Sequence, residues 1–240
     1  VGLFLILPLI SRSGIRTLRT TKIPLHFIRT LFGLFAMAAL YYAVAVKPLA
    51  EVIALTFLIP IFVTIASSLV LHEVVGLHRW LATTVGFAGA LIIIRPGFVE
   101  FDFPIFLVLL SSALYAGAWS SVKILTRTDQ ASVTLFWMNF LMLPLTFLPT
   151  IFVWVTPNWI DFIPILVMAL FGWSAHFCQA RAFKNSDASA VMPFDFLRLP
   201  VAALFGYFLF SETLDIWIWI GAIIIFGASY YTVWREKLIS

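Results

Sequence analysis

The chain has 240 residues, of which 62% are hydrophobic and only 11% are charged, with a formal net charge of +4. A soluble domain usually carries about a quarter charged residues, so a soluble globular fold is excluded and a polytopic membrane protein is predicted. Cys178 is the only cysteine, which excludes an intrachain disulfide and any metal or redox site built on several cysteines.

Eight apolar stretches approach the length of about 20 residues that a helix needs to cross a bilayer. They are 25–46, 49–71, 77–95, 103–123, 132–154, 160–182, 188–210 and 215–234. Residues 1–10 are also apolar but too short, and the chain begins with Val. We therefore expect an N-terminally truncated sequence in which residues 1–10 end a helix. A short re-entrant segment is the alternative.

Basic residues are concentrated on one side of the membrane when the predicted helices are counted in order. The loop after residue 10 holds four of them, and Arg79, Lys123, Arg181 and Arg235 fall on the same side. Lys and Arg mark cytoplasmic loops, so we expect the C-terminus in the cytoplasm and the protein in the cytoplasmic (inner) membrane.

An internal repeat is visible in segments 49–73 and 189–212. Each has a proline within an apolar span and a glutamate at its end, namely Pro60 with Glu73 and Pro200 with Glu212. The helices that follow carry spaced glycines, which let transmembrane helices approach closely. These are Gly86 and Gly89 in the first copy and Gly221 and Gly227 in the second. Five crossings separate the copies, so they run in opposite directions, as in inverted-repeat transporters. A duplicated structural bundle is the alternative.

Two segments resemble the EamA repeats of the drug/metabolite transporter superfamily: KPLAEVIALTFLIPIFVTIASSLVLHEVVGLHRWLATTVGFAGALIIIRPG (47–97) and ARAFKNSDASAVMPFDFLRLPVAALFGYFLFSETLDIWIWIGAIIIFGASYYTVWRE (180–236). The resemblance implies an all-α integral membrane protein, an inverted-repeat helical bundle of ten helices, here truncated to about nine helices that lack the first. Residues 1–97 would form the first repeat and 98–240 the second. The run ASAVMPFDFLRLP followed by FLFSE is most similar to the S-adenosylmethionine uptake transporters, and close relatives are described as carrying riboflavin, amino acids or other metabolites.

Asp195 and Arg198 are two charges one helical turn apart inside an apolar span, where each costs at least about 2.5 kcal/mol. Two interpretations stay open: an intrahelical ion pair that shields both charges, or a pair at a cavity wall that binds a charged substrate or a coupling proton. Pro193 and Pro200 bracket the pair, and each loosens the helix, as Pro60 does in the other copy. We expect these prolines to be hinge or scaffold positions.

Further substrate-binding or coupling candidates are polar and aromatic side chains of the predicted spans. Lys47 and Glu51 are four residues apart near the outer end of a helix and form either an ion pair or part of a vestibule. The remaining candidates are His176, Gln179 and Trp173, which share a helix face, together with Tyr115, Trp119 and Asn139. Ordinary hydrogen bonding between helices is the alternative for these polar groups.

Several local patterns lack the spacing that a site would need. His72, Glu73 and His78 do not have the HExxH spacing of a zinc site and are interpreted as a solvated loop. Asp129 and Gln130 in TRTDQ are interpreted as an ordinary loop. Ser186 or Asp187 is expected to cap the following helix. We find no nucleotide-binding glycine loop, which disfavours an ATP-driven pump, and we expect no cofactor and no metal.

The sequence therefore predicts a secondary transporter, and not an enzyme, that moves a small organic metabolite by alternating access. The resemblance favours an S-adenosylmethionine-like, amino-acid-like or nucleoside-like solute. The expected partners are this metabolite, the lipid bilayer and a proton or counter-solute, without nucleic acid; a homodimer stays open. The alternative function is an intramembrane lipid-modifying enzyme or protease, which would use His176 with Asp195 and a serine.

Overall fold

The computed structural model describes residues 18–47, 49–94, 102–210 and 216–239, and these residues contain helices but no strand. The helices are α1 (Ile23–Val46), α2 (Leu49–Thr56), α3 (Ile59–Leu69), α4 (Leu77–Ile94), α5 (Phe103–Thr126), α6 (Ala131–Val153), α7 (Phe162–Asn185), α8 (Ala188–Val191), α9 (Arg198–Phe210) and α10 (Ile216–Ile239). Short 3₁₀ helices occupy Trp159–Asp161 and Met192–Leu197. The all-α prediction is confirmed. The predictions for residues 1–10 and for Glu212 lie outside the described residues.

The surface and the length of several helices suit a membrane. In the described part of the chain, four helical segments are long and apolar enough to cross one: Ile23–Val46, Phe103–Thr126, Ala131–Val153 and Trp159–Asn185. Large apolar side chains are widely exposed, including Phe152 at 87% and Trp159 at 88%. A continuous apolar surface of this kind is favourable against lipid and unfavourable against water.

Two of the predicted spans are discontinuous. The predicted helix 49–71 is divided between α2 and α3, and the predicted helix 188–210 is divided among α8, the 3₁₀ helix and α9. Pro60 is the second residue of α3, and Pro193 is the second residue of the 3₁₀ helix. Since proline has no N–H to continue a helix, each of these prolines starts a new one. The prediction of two continuous spans was wrong, although the prolines that loosen them were recognised.

The helices are grouped in two compact units. Unit 1 consists of Val1–Leu34 and Ser121–Asn185, and unit 2 consists of Phe35–Ser120 and Ser186–Ser240. Unit 1 therefore includes α6 and α7, and unit 2 includes α2, α3, α4, α8, α9 and α10.

Unit 2 is built around a close crossing of α4 and α10. A Cβ added to Gly89 would lie 3.1 Å from the carbonyl oxygen of Gly221, and one added to Gly221 would lie 2.7 Å from that of Gly89. Gly86 lies under the ring of Phe196, where an added Cβ would lie 2.6 Å from Cδ2. The prediction that glycines allow close approach is thus confirmed for these three. It was wrong for Gly227, where an added Cβ would meet nothing within 4 Å.

The core of unit 2 joins both interrupted spans. Phe57, which follows α2, stacks on Phe196 of the 3₁₀ helix with ring centroids 5.8 Å apart, and both side chains are fully buried. Ala90 of α4 and Ile225 of α10 complete this buried cluster. The two breaks are therefore packed on the same apolar core, which positions the residues that follow them.

In unit 1 a buried carboxylate organises the polar contacts. Asp129 Oδ2 lies 2.9 Å from His26 Nε2 and accepts a 2.7 Å hydrogen bond from the hydroxyl of Thr20. Lys123 Nζ donates to the carbonyl oxygen of Phe183 at 2.9 Å. Asp129 lies in the predicted loop between α5 and α6. It is not an ordinary loop residue, because its carboxylate is buried and bonded to side chains about a hundred residues away in the sequence.

Candidate functional site

A cavity of about 550 Å³ lies within unit 2. It is formed by the C-terminal half of α1, by α2 and the residues that follow it, by α5, and by the first turn of α9. The residues that line it are Leu40, Tyr41, Val44, Val52, Ile53, Thr56, Phe57, Ile59, Tyr115, Trp119, Arg198 and Leu199. Binding sites for small organic molecules usually have volumes of about 300–1,000 Å³ and mostly apolar walls, so this cavity has the size and character of one.

Aromatic side chains form a large part of the cavity wall. Tyr41, Phe57, Tyr115 and Trp119 come from three different parts of unit 2. Aromatic rings bind planar ligands by offset or edge-to-face stacking, which adds about 0.5–1.5 kcal/mol per pair to the effect of burial. The sequence predicts Tyr115 and Trp119 as binding candidates, but it does not predict Tyr41 and Phe57.

Arg198 is the single charged side chain among the described residues that line the cavity. Its Nη2 donates a 3.1 Å hydrogen bond to Thr56 Oγ1, whose own hydroxyl donates to the carbonyl oxygen of Ile53 at 2.7 Å. The guanidinium carbon lies 4.3 Å from the ring centre of Phe57, a cation–π distance. The side chain is 44% exposed, and a guanidinium has five N–H donors, so it retains donors for a ligand.

Asp195 lies next to this guanidinium but does not line the cavity. Its Oδ2 is 3.6 Å from Arg198 Nη2, which is an ion-pair distance but too long for a hydrogen bond. The same oxygen is buried and has no hydrogen-bond partner among the described residues. The two charges lie where the 3₁₀ helix ends and α9 begins. A 3₁₀ stretch within a helical span often marks a hinge or a functional site.

Lys47 is placed at the end of α1, where it pairs with Asp102. Asp102 also accepts the backbone N–H of Ile105 at 3.1 Å and so caps the start of α5. The hydrogen bond from Lys47 holds the pKa of Asp102 below its usual value, and the backbone N–H acts in the same direction. Glu51 lies in the first turn of α2, but its side chain is outside the described part of the structure. Its pairing with Lys47 therefore stays a prediction.

The candidates His176, Gln179, Trp173 and Asn139 belong to unit 1. His176 is exposed, and Gln179 lies one turn later on the same helix. Trp173 stacks on Phe177 with ring centroids 5.4 Å apart, and its buried indole N–H has no partner among the described residues. Asn139 donates to the carbonyl oxygen of Leu135 in its own helix at 2.9 Å. The prediction that the first three share a helix face fits these contacts, and their binding role stays a prediction.

A polar network joins the loop after α3 to the start of α8 in unit 2. The carboxylate of Glu73 accepts hydrogen bonds from the backbone N–H groups of Ala188 (2.9 Å) and Ser189 (3.2 Å) and from the Ser189 hydroxyl (2.9 Å). Arg79 Nη1 donates to Asp187 Oδ2 and to Ser189 Oγ, each at 2.9 Å.

This Glu73 network corrects two predictions. Asp187 occupies the N-cap position of α8 but makes no side-chain capping bond, since Glu73 caps the helix from another element. The loop that contains Glu73 is also not simply solvated. The glutamate at the end of both repeat copies was the signal in the sequence, but its partner was not predictable from it.

Two further cavities lie among the described residues. One of about 690 Å³ in unit 1 also combines aromatic side chains with one arginine, and it is lined by Leu18, Arg19, Thr20, Thr21, Ile23, Phe136, Trp137 and Phe140. One of about 380 Å³ between α4 and α10 has no charged side chain among its described lining residues. The cavity in unit 2 is the candidate site because three side chains predicted from the sequence line it, namely Tyr115, Trp119 and Arg198, and none of the predicted candidates lines the other two.

Comparisons with known proteins agree with this architecture. The model of the EamA-like transporter family matches residues 1–95 and 102–234. The riboflavin transporter of Brucella anthropi is 33% identical over 99% of this chain and 86% of its own length, and that of Vibrio cholerae is 33% identical over 99% and 81%. The S-adenosylmethionine uptake transporter of Rickettsia prowazekii is 26% identical over 97% and 79%.

A solved crystal structure of another protein shares the fold. It superposes with a TM-score of 0.83 at 16% identity, over 100% of this chain and 86% of the other. The predicted resemblance and the predicted multi-pass membrane architecture are thereby confirmed. The chain belongs to the EamA-like transporter family.

Proposed function

We propose that this protein moves a planar heteroaromatic metabolite of the riboflavin class across the cytoplasmic membrane, and that the cavity of unit 2 is its binding site. The observation that carries the proposal is the lining of that cavity, which combines four aromatic side chains with a single charged one, Arg198. Aromatic faces suit a fused ring system, and a guanidinium with free donors suits ring carbonyl oxygens.

The charge of the lining favours riboflavin over S-adenosylmethionine. Riboflavin has a neutral ring system with hydrogen-bond acceptors, whereas S-adenosylmethionine carries a sulfonium and an ammonium besides its carboxylate and is a net cation. Among the described residues that line the cavity, Arg198 is a cation and none is an acid. A like charge close to the sulfonium would be unfavourable. The higher identity to two riboflavin transporters supports the same choice.

Transport would proceed by alternating access. Both interrupted spans contribute to the cavity wall at their breaks, through Phe57 after α2 and Arg198 at the start of α9. Broken helices that carry substrate-binding groups are a recurrent feature of secondary transporters, because the break exposes polar groups and gives a point of bending. Pro60, Pro193 and Pro200 would be the hinge positions.

The proposal places the C-terminus in the cytoplasm and divides the chain into the repeats 1–97 and 98–240. The distribution of Lys and Arg over the loops supports that orientation. The family match to 1–95 and 102–234 supports two related halves. A counter-solute or a proton would supply the driving force, and a homodimer remains compatible with this scheme.

The test is uptake into liposomes that contain the purified chain, with labelled riboflavin and labelled S-adenosylmethionine supplied separately. We expect riboflavin to enter faster than into protein-free liposomes. Arg198→Gln should lower uptake about tenfold or more, because a hydrogen bond to a charged group contributes about 1.5–3 kcal/mol. Trp119→Ala should raise the riboflavin concentration that gives half-maximal uptake. Trp119→Phe should bring that concentration most of the way back to the value of the unmodified protein.

Arg181→Gln is the matched control, since Arg181 is an exposed arginine near the end of α7 in unit 1. Riboflavin uptake by Arg181→Gln should equal riboflavin uptake by the unmodified protein. Preferred uptake of S-adenosylmethionine, or unchanged riboflavin uptake in Arg198→Gln, would contradict the assignment of this cavity and its substrate class.

A further inference from the structure

We infer that Asp195 is the proton-binding site of this transporter and that substrate and proton bind together. The substrate competes with Asp195 for Arg198, and the proton competes with Arg198 for Asp195, so the binding of either one favours the binding of the other. The inference rests on the proposed function, since it requires a substrate that engages Arg198 in the cavity of unit 2. It identifies the coupling ion and the atom that holds it.

The side chains of Arg198 and Asp195 lie in different surroundings. Arg198 lines the cavity, whereas Asp195 Oδ2 is buried beside it without a hydrogen-bond donor among the described residues. The 3.6 Å separation from Arg198 Nη2 gives attraction but no hydrogen bond. A carboxylate with one buried oxygen that accepts no hydrogen bond is costly in its ionised form, so its ionisation depends on the nearby cation.

A ligand in the cavity would change this balance. Ring carbonyl oxygens or a carboxylate would draw the guanidinium of Arg198 toward the ligand and away from Asp195. Asp195 would then lose its described counter-ion and take up a proton on Oδ2. By linkage, a proton on Asp195 would release Arg198 and raise the affinity for substrate by the same factor.

The proton balance follows from this linkage. One proton leaves the solution on the side to which the cavity is open and binds Asp195 Oδ2 when the substrate binds Arg198. It is released on the other side when the substrate leaves and Arg198 returns to the carboxylate. The inference is therefore symport of one proton with each substrate molecule.

The other titratable groups on the packed elements do not replace this pair. The 3₁₀ helix that carries Asp195 packs against α3, α4, α8, α9 and α10. Neither α3 nor α8 contains a titratable side chain, and on α4 these are His78 and Arg79 at the first turn, with Arg79 bonded to Asp187. The titratable residues of α9 and α10 besides Arg198 are Tyr207, Tyr230, Tyr231, Arg235, Glu236 and Lys237. Among the described side chains, Arg198 is the charged partner recorded for Asp195.

Two measurements test the inference on the purified full chain. In liposomes, a pH gradient of one unit, acidic on the side of entry, should support accumulation of riboflavin of about tenfold for one proton per substrate. In weakly buffered detergent solution, addition of riboflavin should remove protons from the solution, which a pH indicator records. Asp195→Asn should abolish both effects. Because its neutral amide resembles the protonated acid, this variant should still exchange riboflavin when the pH is equal on both sides, with an affinity that no longer depends on pH.

Asp161→Asn is the matched control, because Asp161 is an exposed carboxylate in the 3₁₀ helix before α7. It should retain gradient-driven accumulation and proton uptake. Asp195→Glu keeps the acid and should restore part of both. Retained exchange in Asp195→Asn also shows that this variant folds.

The outcomes separate the two proposals. Absence of riboflavin exchange in the unmodified protein would overturn the proposed function and this inference together. Exchange that is present but does not respond to the pH gradient would overturn proton coupling alone. Unchanged accumulation in Asp195→Asn, or loss of exchange that Asp195→Glu repairs, would assign the carboxylate no coupling role.

Discussion

Three groups stabilise the charge of Arg198 within an apolar span. Thr56 accepts a hydrogen bond from it, Phe57 presents a ring face at 4.3 Å, and Asp195 lies 3.6 Å away. These contacts offset the part of its hydration that the guanidinium loses, since the side chain stays 44% exposed at the cavity. The intrahelical pair with Asp195 followed from the sequence spacing. Thr56 and Phe57 did not, since they belong to the other copy of the repeat.

The ion pair between Lys47 and Asp102 at the start of α5 should make the stability of the folded protein depend on pH. The folded pKa of Asp102 lies below its usual value, so the stabilisation is present above that usual value of about 3.9. It is lost as the pH falls through the lowered folded pKa. Asp102→Asn should therefore unfold at a lower temperature than the unmodified protein at neutral pH, and the difference should shrink toward pH 3 and below.

Thermal unfolding in detergent over a series of pH values measures this effect. Asn at position 102 keeps an oxygen that can accept the N–H of Ile105, so the variant removes the charge and retains the cap. Asp161→Asn serves as the comparison, because Asp161 also bonds the backbone at a helix start but has no ion pair recorded in the described chain. A difference for Asp102→Asn that is constant with pH would exclude the ion pair as its cause.

At the level of helices, the apolar stretches of the sequence predicted the existence and the length of most helices well. The boundaries of α1, α4, α5, α6, α7 and α10 lie within a few residues of the predicted spans. The breaks in the other two spans were only partly predictable, since proline indicates a weakened helix but not how far the chain bends. What fixes each break is tertiary packing, here the stacking of Phe57 on Phe196.

The Glu73 network should contribute measurably to the stability of unit 2. Glu73→Ala removes the acceptor of two backbone N–H groups at the start of α8, where Ala188 and Ser189 are fully buried. An unsatisfied buried donor costs about 1–3 kcal/mol, so we expect a loss of that order in the free energy of unfolding. Denaturation of the purified protein in mixed micelles provides the measurement.

A double-mutant cycle with Ser189→Ala distinguishes this network from a general loss of packing. Both residues share a 2.9 Å hydrogen bond, so their effects should be less than additive. Ser174→Ala is the control, because Ser174 is an exposed serine within α7 and should change stability little. Strict additivity of Glu73→Ala and Ser189→Ala would count against the bond.

For the whole molecule, composition predicted a multi-pass membrane protein, and the resemblance of two segments to EamA repeats predicted the family. The cavity was predicted only in part, because Tyr115, Trp119 and Arg198 were named but Tyr41 and Phe57 were not. Aromatic residues are so frequent in this chain that an individual ring carries little information. Only the fold selects which of the 25 phenylalanines faces a cavity.

The proposed orientation predicts opposite labelling at the two ends of α6. Its 23 residues span about 35 Å, which is enough to cross the hydrocarbon core of a membrane. The exposed Cys178 is first replaced by serine. A single cysteine is then introduced at an exposed position, by Gln130→Cys in one variant and by Val155→Cys in another. A membrane-impermeant thiol reagent should label Val155→Cys in intact cells and Gln130→Cys only after the membrane is opened. The Lys and Arg counts predict that the loop at Gln130 is cytoplasmic. The reverse pattern would invert the proposed topology, and labelling of both positions from outside would mean that α6 does not cross the membrane.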